Sequence, residues 1–180
     1  MVAPADGTGH GPGWLQQSYE LSLKTAASDF ERDVLGRAVS TGAIAPEDYE
    51  EAVSRYLSCT KSAGLVIDTV KQLNGIYQWL PQGVTDANFQ DYMDKTTRCA
   101  EGTTMAIEGL YKVQVANPEG LDAATAAAQC LVKYGVVEAL YSGDDFTKDL
   151  DDNFAHAEYK VTDPNVTMCL ASLGFAISGQ

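Results

Sequence analysis

Residues 30–64, FERDVLGRAVSTGAIAPEDYEEAVSRYLSCTKSAG, read as helix, short turn, helix, and the remainder of the chain reads as a framework of helices tied back by cysteines. In the second helix, Pro46 suits a first turn because its backbone angle is preset and its missing N–H would be unpaired there anyway. Glu47, Asp48, Glu50 and Glu51 crowd the positive end of the helix dipole. Tyr49, Ala52, Val53, Tyr56 and Leu57 recur at three- and four-residue steps, one apolar stripe. Arg55 and Lys61 fall late, and Gly64 is a left-handed stop.

The turn into this helix imitates a calcium loop. Gly42, Ile44 and Asp48 take the sixth, eighth and twelfth positions of an EF-hand, which puts Arg37, Val39 and Thr41 at the first, third and fifth. A calcium ion needs about six to eight oxygens, several of them charged, and these three supply no carboxylate. The expectation is an empty helix–turn–helix corner with Ile44 tucked into the core.

The 180 residues allow one domain, or two small ones, with enough chain to bury a core unaided. The 12 basic and 25 acidic residues leave a net charge of −13. That balance opposes nucleic-acid binding and adsorption to an anionic membrane surface. No apolar run approaches the ~20 residues a bilayer span needs. Residues 1–17 lack the basic start and apolar segment of a signal peptide, and their Gly/Pro-rich opening predicts a flexible tail. The cysteines favour a mature N-terminus whose leader has been removed, and Trp14 is expected to dock onto the body.

Working outward, 19–38 forms the first helix, and 65–81 is the one convincing β segment. Asn74-Gly75 favours a tight two-residue hairpin turn, since both positions accept positive φ. A helical pattern then runs from about 85 to 116, with Gly102 and Gly109 inside it marking a kink or a close approach. Further helices are expected over 121–134, 142–156 and a last short stretch opened by Asp163-Pro164. The prediction is a mainly α fold of six or seven helices with one hairpin. It is a single domain over 18–180, with halves at 18–117 and 118–180 as an alternative division.

Three cysteines each stand five residues ahead of a helix-stopping glycine, in CTKSAG, CLVKYG and CLASLG. Cys59 and Cys99 are 40 apart, Cys130 and Cys169 are 39 apart, and this suggests a weak internal duplication. Four cysteines allow three pairings, and the near-equal spacings favour Cys59 with Cys99 and Cys130 with Cys169. Two intrachain disulfides would place the chain in an oxidising compartment; four buried thiols in a cytosolic protein are the competing reading. Zinc is disfavoured by the lack of any CxxC and by the isolation of His10 and His156.

The order DFERDVL, APEDYEEAVSRYLSC, hairpin, RCAEGTTMAIEGLY, QCLVKYG resembles a group of uncharacterised actinobacterial secreted lipoproteins, over roughly 27–174. The resemblance implies export, paired disulfides and a lipid anchor on an N-terminal cysteine. No such cysteine precedes Ala3, so the anchor depends on residues outside this sequence. The group brings no activity with it.

No GxSxG elbow or phosphate-cradling loop is present, and neither a cofactor nor a metal is called for. His156 is the one credible catalytic base, against a plain reading as a helix-end histidine. The run 144–153, DDFTKDLDDN, could hold calcium loosely through Asp144, Asp145 and Asp149, but a solvated helix face explains it better. Tyr77 and Trp79 share one strand face, expected to pack inward; with Tyr111 they outline a binding surface beside the hairpin. The functional expectation is a non-catalytic binding protein at the cell envelope. It would be secreted or held on the outer face of the cytoplasmic membrane, its partner a small molecule or a protein. The alternatives are an envelope hydrolase using His156 and a carboxylate, or an accessory lipoprotein of a transport complex.

Overall fold

A computed structural model describes residues 10–11 and 13–175; the tail residues 1–9, like 12 and 176–180, lie outside the described set. Among the described residues the chain is mainly α, with eight helices and one two-stranded antiparallel hairpin. Two disulfides join Cys59 to Cys99 and Cys130 to Cys169, the pairing that the spacing favours. No helix among the described residues is long and apolar enough to cross a membrane. The described chain divides into two compact units: Leu15–Gln114, and the described residues from 115 to 175 together with those from 10 to 14.

In the first unit the expected helix over 19–38 is two helices, α1 (Trp14–Thr25) and α2 (Asp29–Thr41). Ser28 explains the break. Its hydroxyl accepts from the Glu31 N–H at 3.0 Å, while the buried Glu31 carboxylate accepts from the Ala27 N–H at 2.8 Å. These two caps start a new helix more strongly than the apolar spacing continues the old one. At the other end α1 begins at Trp14, so residues 14–17 lie in a helix and not in a tail.

The corner before α3 (Pro46–Ser62) is tucked in as expected, with Ile44 1% exposed. The Gln114 side chain takes both backbone groups of Ile44, at 2.7 and 3.0 Å, and accepts from the Tyr19 hydroxyl at 2.8 Å. The long pattern over 85–116 is also two helices, α4 (Phe89–Ala100) and α5 (Glu108–Ala116). Gly102 parts them with a left-handed φ of 77°. A β-carbon there would sit 3.1 Å from that of Ser28, whose hydroxyl donates to the Gly102 carbonyl at 2.7 Å.

The hairpin pairs β1 (Ile67–Lys71) with β2 (Tyr77–Pro81). Its turn differs from the expected two-residue one. The Gly75 N–H donates to Gln72 O, the Gln72 N–H donates to Ile76 O, and Gly75 adopts positive φ while Asn74 does not. Leu73 and Asn74 are therefore the centre of a three-residue loop with Gly75 as its left-handed bulge. The free edge of β2 is blunted. The Tyr77 N–H points off the ladder and is taken by the Tyr49 hydroxyl at 3.3 Å, and Pro81 has no N–H to offer.

The second unit packs α6 (Ala123–Lys133), α7 (Gly143–Asp151) and α8 (Pro164–Ser172) around Leu131, Phe146, Val166 and Leu170. His10 and Gly11 are not a loose tail here: the His10 N–H donates to Gly120 O, and its ring stacks on Trp14 at 4.5 Å. The three cysteine helices share one ending. Gly64, Gly135 and Gly174 are left-handed, and the next N–H in each case returns to a carbonyl in the helix, that of Thr60, Leu131 and Leu170.

Candidate functional site

Tyr77, Trp79 and Tyr111 come together in the first unit, as one layer that faces inward. Tyr49, fully buried on α3, stacks on Tyr111 with ring centres 4.1 Å apart and meets Tyr77 at 5.9 Å. Trp79 stands edge-on to Tyr56 at 5.0 Å. Its indole N–H donates to Glu108 Oε1 at 2.8 Å, an oxygen that also receives Lys112 Nζ. Burial raises the phenol pKa of Tyr49 and Tyr111, and lifts that of Tyr56 to about 12. A layer this engaged works as core. The opposite face, with Val66, Val70 and Leu80, is turned to solvent, and Leu73 stands 79% exposed at the tip.

The second unit holds an open cleft of about 390 Å³ lined by residues between Val137 and Tyr159. Its position comes from how α7 begins and ends. At the start, Ser142 and Asp145 form a reciprocal cap: each side chain accepts from the other's backbone N–H, and Lys148 sits 2.9 Å from Asp145. The Ser142 hydroxyl also donates to Asp145 Oδ2 at 2.7 Å, and this bond first, then that from Lys148 and that from the Ser142 N–H, holds the Asp145 carboxyl down at about 2. At the end, Asn153 and Phe154 both adopt left-handed φ, 55° and 62°. Two such non-glycine residues in succession are rare, and a phenylalanine there is strained. The Phe154 ring holds the turn by packing on Phe146 at 5.9 Å and Tyr159 at 6.1 Å. The chain then doubles back and brings Glu158 and Tyr159 over α7.

There the Tyr141 hydroxyl meets Asp149 Oδ2 at 2.5 Å and the Tyr159 hydroxyl at 3.0 Å, the rings lying edge-to-face. Burial, reinforced by the Asp149 bond, raises the Tyr141 phenol, and burial raises that of Tyr159. Both stay neutral donors at ordinary pH. Leu140 stands on the rim, 91% exposed. A neighbouring cleft of about 380 Å³ between Tyr134 and Asn165 shares Glu158 and Tyr159.

His156 lies in this cleft, its Nδ1 2.8 Å from Asp152 Oδ2, with its side chain 88% exposed. The hydroxyls among the lining residues are those of the two tyrosines, so no serine, threonine or cysteine stands there for the imidazole to activate. Of the three aspartates considered for calcium, Asp145 is engaged in the helix cap and Asp149 by Tyr141. Among the described residues no group of three or more His, Cys, Asp or Glu is arranged to hold a metal ion.

Sequence reasoning missed Tyr141 and Tyr159. The available signal was two tyrosines flanking an acidic helix whose start, Ser142, is a cap residue. Comparison with protein-family models, curated proteins and solved structures found no match to this chain in any of the three.

Proposed function

We propose that the chain is a non-catalytic binding protein of an extracytoplasmic compartment, taking its ligand in the cleft between Val137 and Tyr159. The observation that carries this reading is the make-up of the cleft: a concave space walled by two hydrogen-bonded tyrosines, an exposed leucine and several carboxylates. Ligand sites combine aromatic and apolar contact with placed polar groups, and in this cleft the carboxylates are the largest share. The compartment is inferred from the two disulfides, which form and persist in oxidising surroundings. Tethering at the outer face of the cytoplasmic membrane is supported by the lipoprotein resemblance alone.

Native mass spectrometry of unreduced protein, isolated from its own source by cell fractionation, tests these points together. The expected result is an oxidised chain in the envelope or medium carrying a bound small molecule or partner, with Leu140→Ser lowering its occupancy. A cytosolic chain with four free thiols would remove the compartment, and full occupancy in Leu140→Ser would remove the site. The accessory-subunit reading has one observation in its favour, the apolar outer face of the hairpin. Its measure is whether Leu73→Ser releases a co-purifying envelope protein.

A further inference from the structure

We infer that the ligand of the Val137–Tyr159 cleft carries an ammonium group on an aliphatic chain. The inference rests on the binding reading above and adds the chemical class of the ligand. The walls decide it. The Tyr141 hydroxyl is engaged by Asp149 and Tyr159, so the hydroxyls hold each other, and the half-buried tyrosine rings form part of the cleft wall. Such rings attract cations, ammonium groups among them. On the rim, Leu140 at 91% exposure gains by being covered, which asks for an apolar segment in the ligand.

The charges give the sign. Glu138, Asp145, Asp149 and Glu158 line the cleft together with His156, which is paired with Asp152, and no lysine or arginine does; Asp145 is paired with Lys148 and Asp149 accepts from Tyr141. From 115 to 175 the chain carries ten acidic residues and three basic ones, Lys133, Lys148 and Lys160. An anion is repelled here, and a neutral ligand makes no use of the carboxylates. A hard divalent ion would leave the leucine and the aromatic rings idle. An alkylammonium uses all three kinds of wall at once, whether it is a free amine or a lysine side chain of a protein partner.

The test is an NMR titration of the full oxidised chain at low ionic strength, with four probes: 1,5-diaminopentane, 1-hexanol, calcium chloride and N-acetyl-lysine methylamide. The expected result is saturable shifts with the two ammonium probes at Leu140, Tyr141, Asp149, Glu158 and Tyr159. Binding should weaken by about tenfold, equivalent to ~1.4 kcal/mol, in each of Glu158→Gln and Leu140→Ser. Both residues are exposed, so neither change threatens the fold. A tighter response to the lysine amide assigns the source to a protein chain; a tighter response to the diamine assigns it to a free amine. Saturation by hexanol with the ammonium probes silent overturns the ligand class and leaves the cleft a binding site. Equal shifts with calcium reduce the cleft to an unspecific acidic surface and overturn the inference. Silence with every probe overturns the inference and the cleft as a binding site together.

Discussion

Arg37 holds Asp48 by both carboxylate oxygens, Nη2 to Oδ1 at 2.6 Å and Nε to Oδ2 at 3.1 Å. These residues occupy the first and twelfth positions of the loop that imitates an EF-hand, so a guanidinium closes the loop that calcium would close in a true one. The bond to Asp48 also raises the Arg37 pKa. Because the arginine side chain is 54% exposed, the pair is worth only about 0.5–1 kcal/mol. Arg37→Ala should therefore lower stability by that amount in urea unfolding, with the difference shrinking in high salt. Added calcium should leave the midpoint of either protein unchanged; a shift with calcium would mean that the loop is a site after all.

Elements that depend on local periodicity were legible in the sequence. The stripe Tyr49, Val53, Tyr56 gave α3, and the recurring cysteine-to-glycine interval gave three helix ends of one construction. What was not legible were the two breaks inside long apolar patterns. Ser28 and Glu31 carry a local capping signal that the apolar spacing outweighs, and Gly102 marks only a kink or close approach; what joins the two breaks is the Ser28 hydroxyl reaching the Gly102 carbonyl 74 residues away. No window of sequence contains both. The cleft was hidden for a related reason. Tyr141 and Tyr159 meet across a turn made by left-handed Asn153 and Phe154, and although asparagine is enriched in that conformation a phenylalanine does not announce it.

Glycines within helical segments should respond to alanine with opposite signs. At Gly143 a β-carbon would lie 2.7 Å from Thr125 Oγ1 and 2.9 Å from its backbone nitrogen, so α6 and α7 must part. At Gly36, inside α2, a β-carbon meets nothing within 4 Å. Thermal unfolding should show Gly143→Ala destabilised by about 1–3 kcal/mol, as overpacking costs. Gly36→Ala should gain about 0.5–1 kcal/mol from helix propensity. Equal effects at the two sites would contradict the close approach of α6 and α7.

Alkaline sensitivity is a consequence of the neutral tyrosines. Burial raises Tyr141 and Tyr159 above the ordinary phenol value, so the fold keeps protons that the unfolded chain has lost. The sign is then set: their contribution is whole below about pH 10 and declines as pH rises beyond it. Tyr141→Phe should flatten the stability curve above pH 10. At neutral pH it should cost about 1–3 kcal/mol, because the Asp149 carboxylate loses its donor. Denaturant unfolding of both proteins from pH 7 to 11 measures the two effects separately; parallel curves would count against the tyrosine pair.

The acid limb has a different owner. Asp145 titrates at about 2 in the fold, below the ordinary aspartate value near ~3.9. A depressed carboxyl stabilises above the unfolded value and loses its contribution as pH falls through the folded one. The stabilising contribution of the α7 cap should therefore be whole above about pH 4 and fade between there and 2, where the carboxyl itself takes up its proton. The carboxyl carbon shift of Asp145, followed by NMR against pH, should give its midpoint near the lower limit. In Ser142→Ala that midpoint should rise, since the largest cause of the depression is the Ser142 bond.

Each disulfide closes a loop inside one unit, 40 residues for Cys59–Cys99 and 39 for Cys130–Cys169. In the chain-entropy account a loop of this length contributes about 4 kcal/mol by restricting the unfolded chain, so near-equal loops should contribute near-equally. The Cys130→Ser/Cys169→Ser double variant should lose amide protection in α6 and α8, which that bond joins. The Cys59→Ser/Cys99→Ser variant should lose it in α3 and α4. Non-reducing peptide maps of both variants should show the remaining bond unchanged. A scrambled pair would mean that the helix geometry does not select the partners. Fully retained exchange protection would mean instead that the cores hold the helices without the sulfurs.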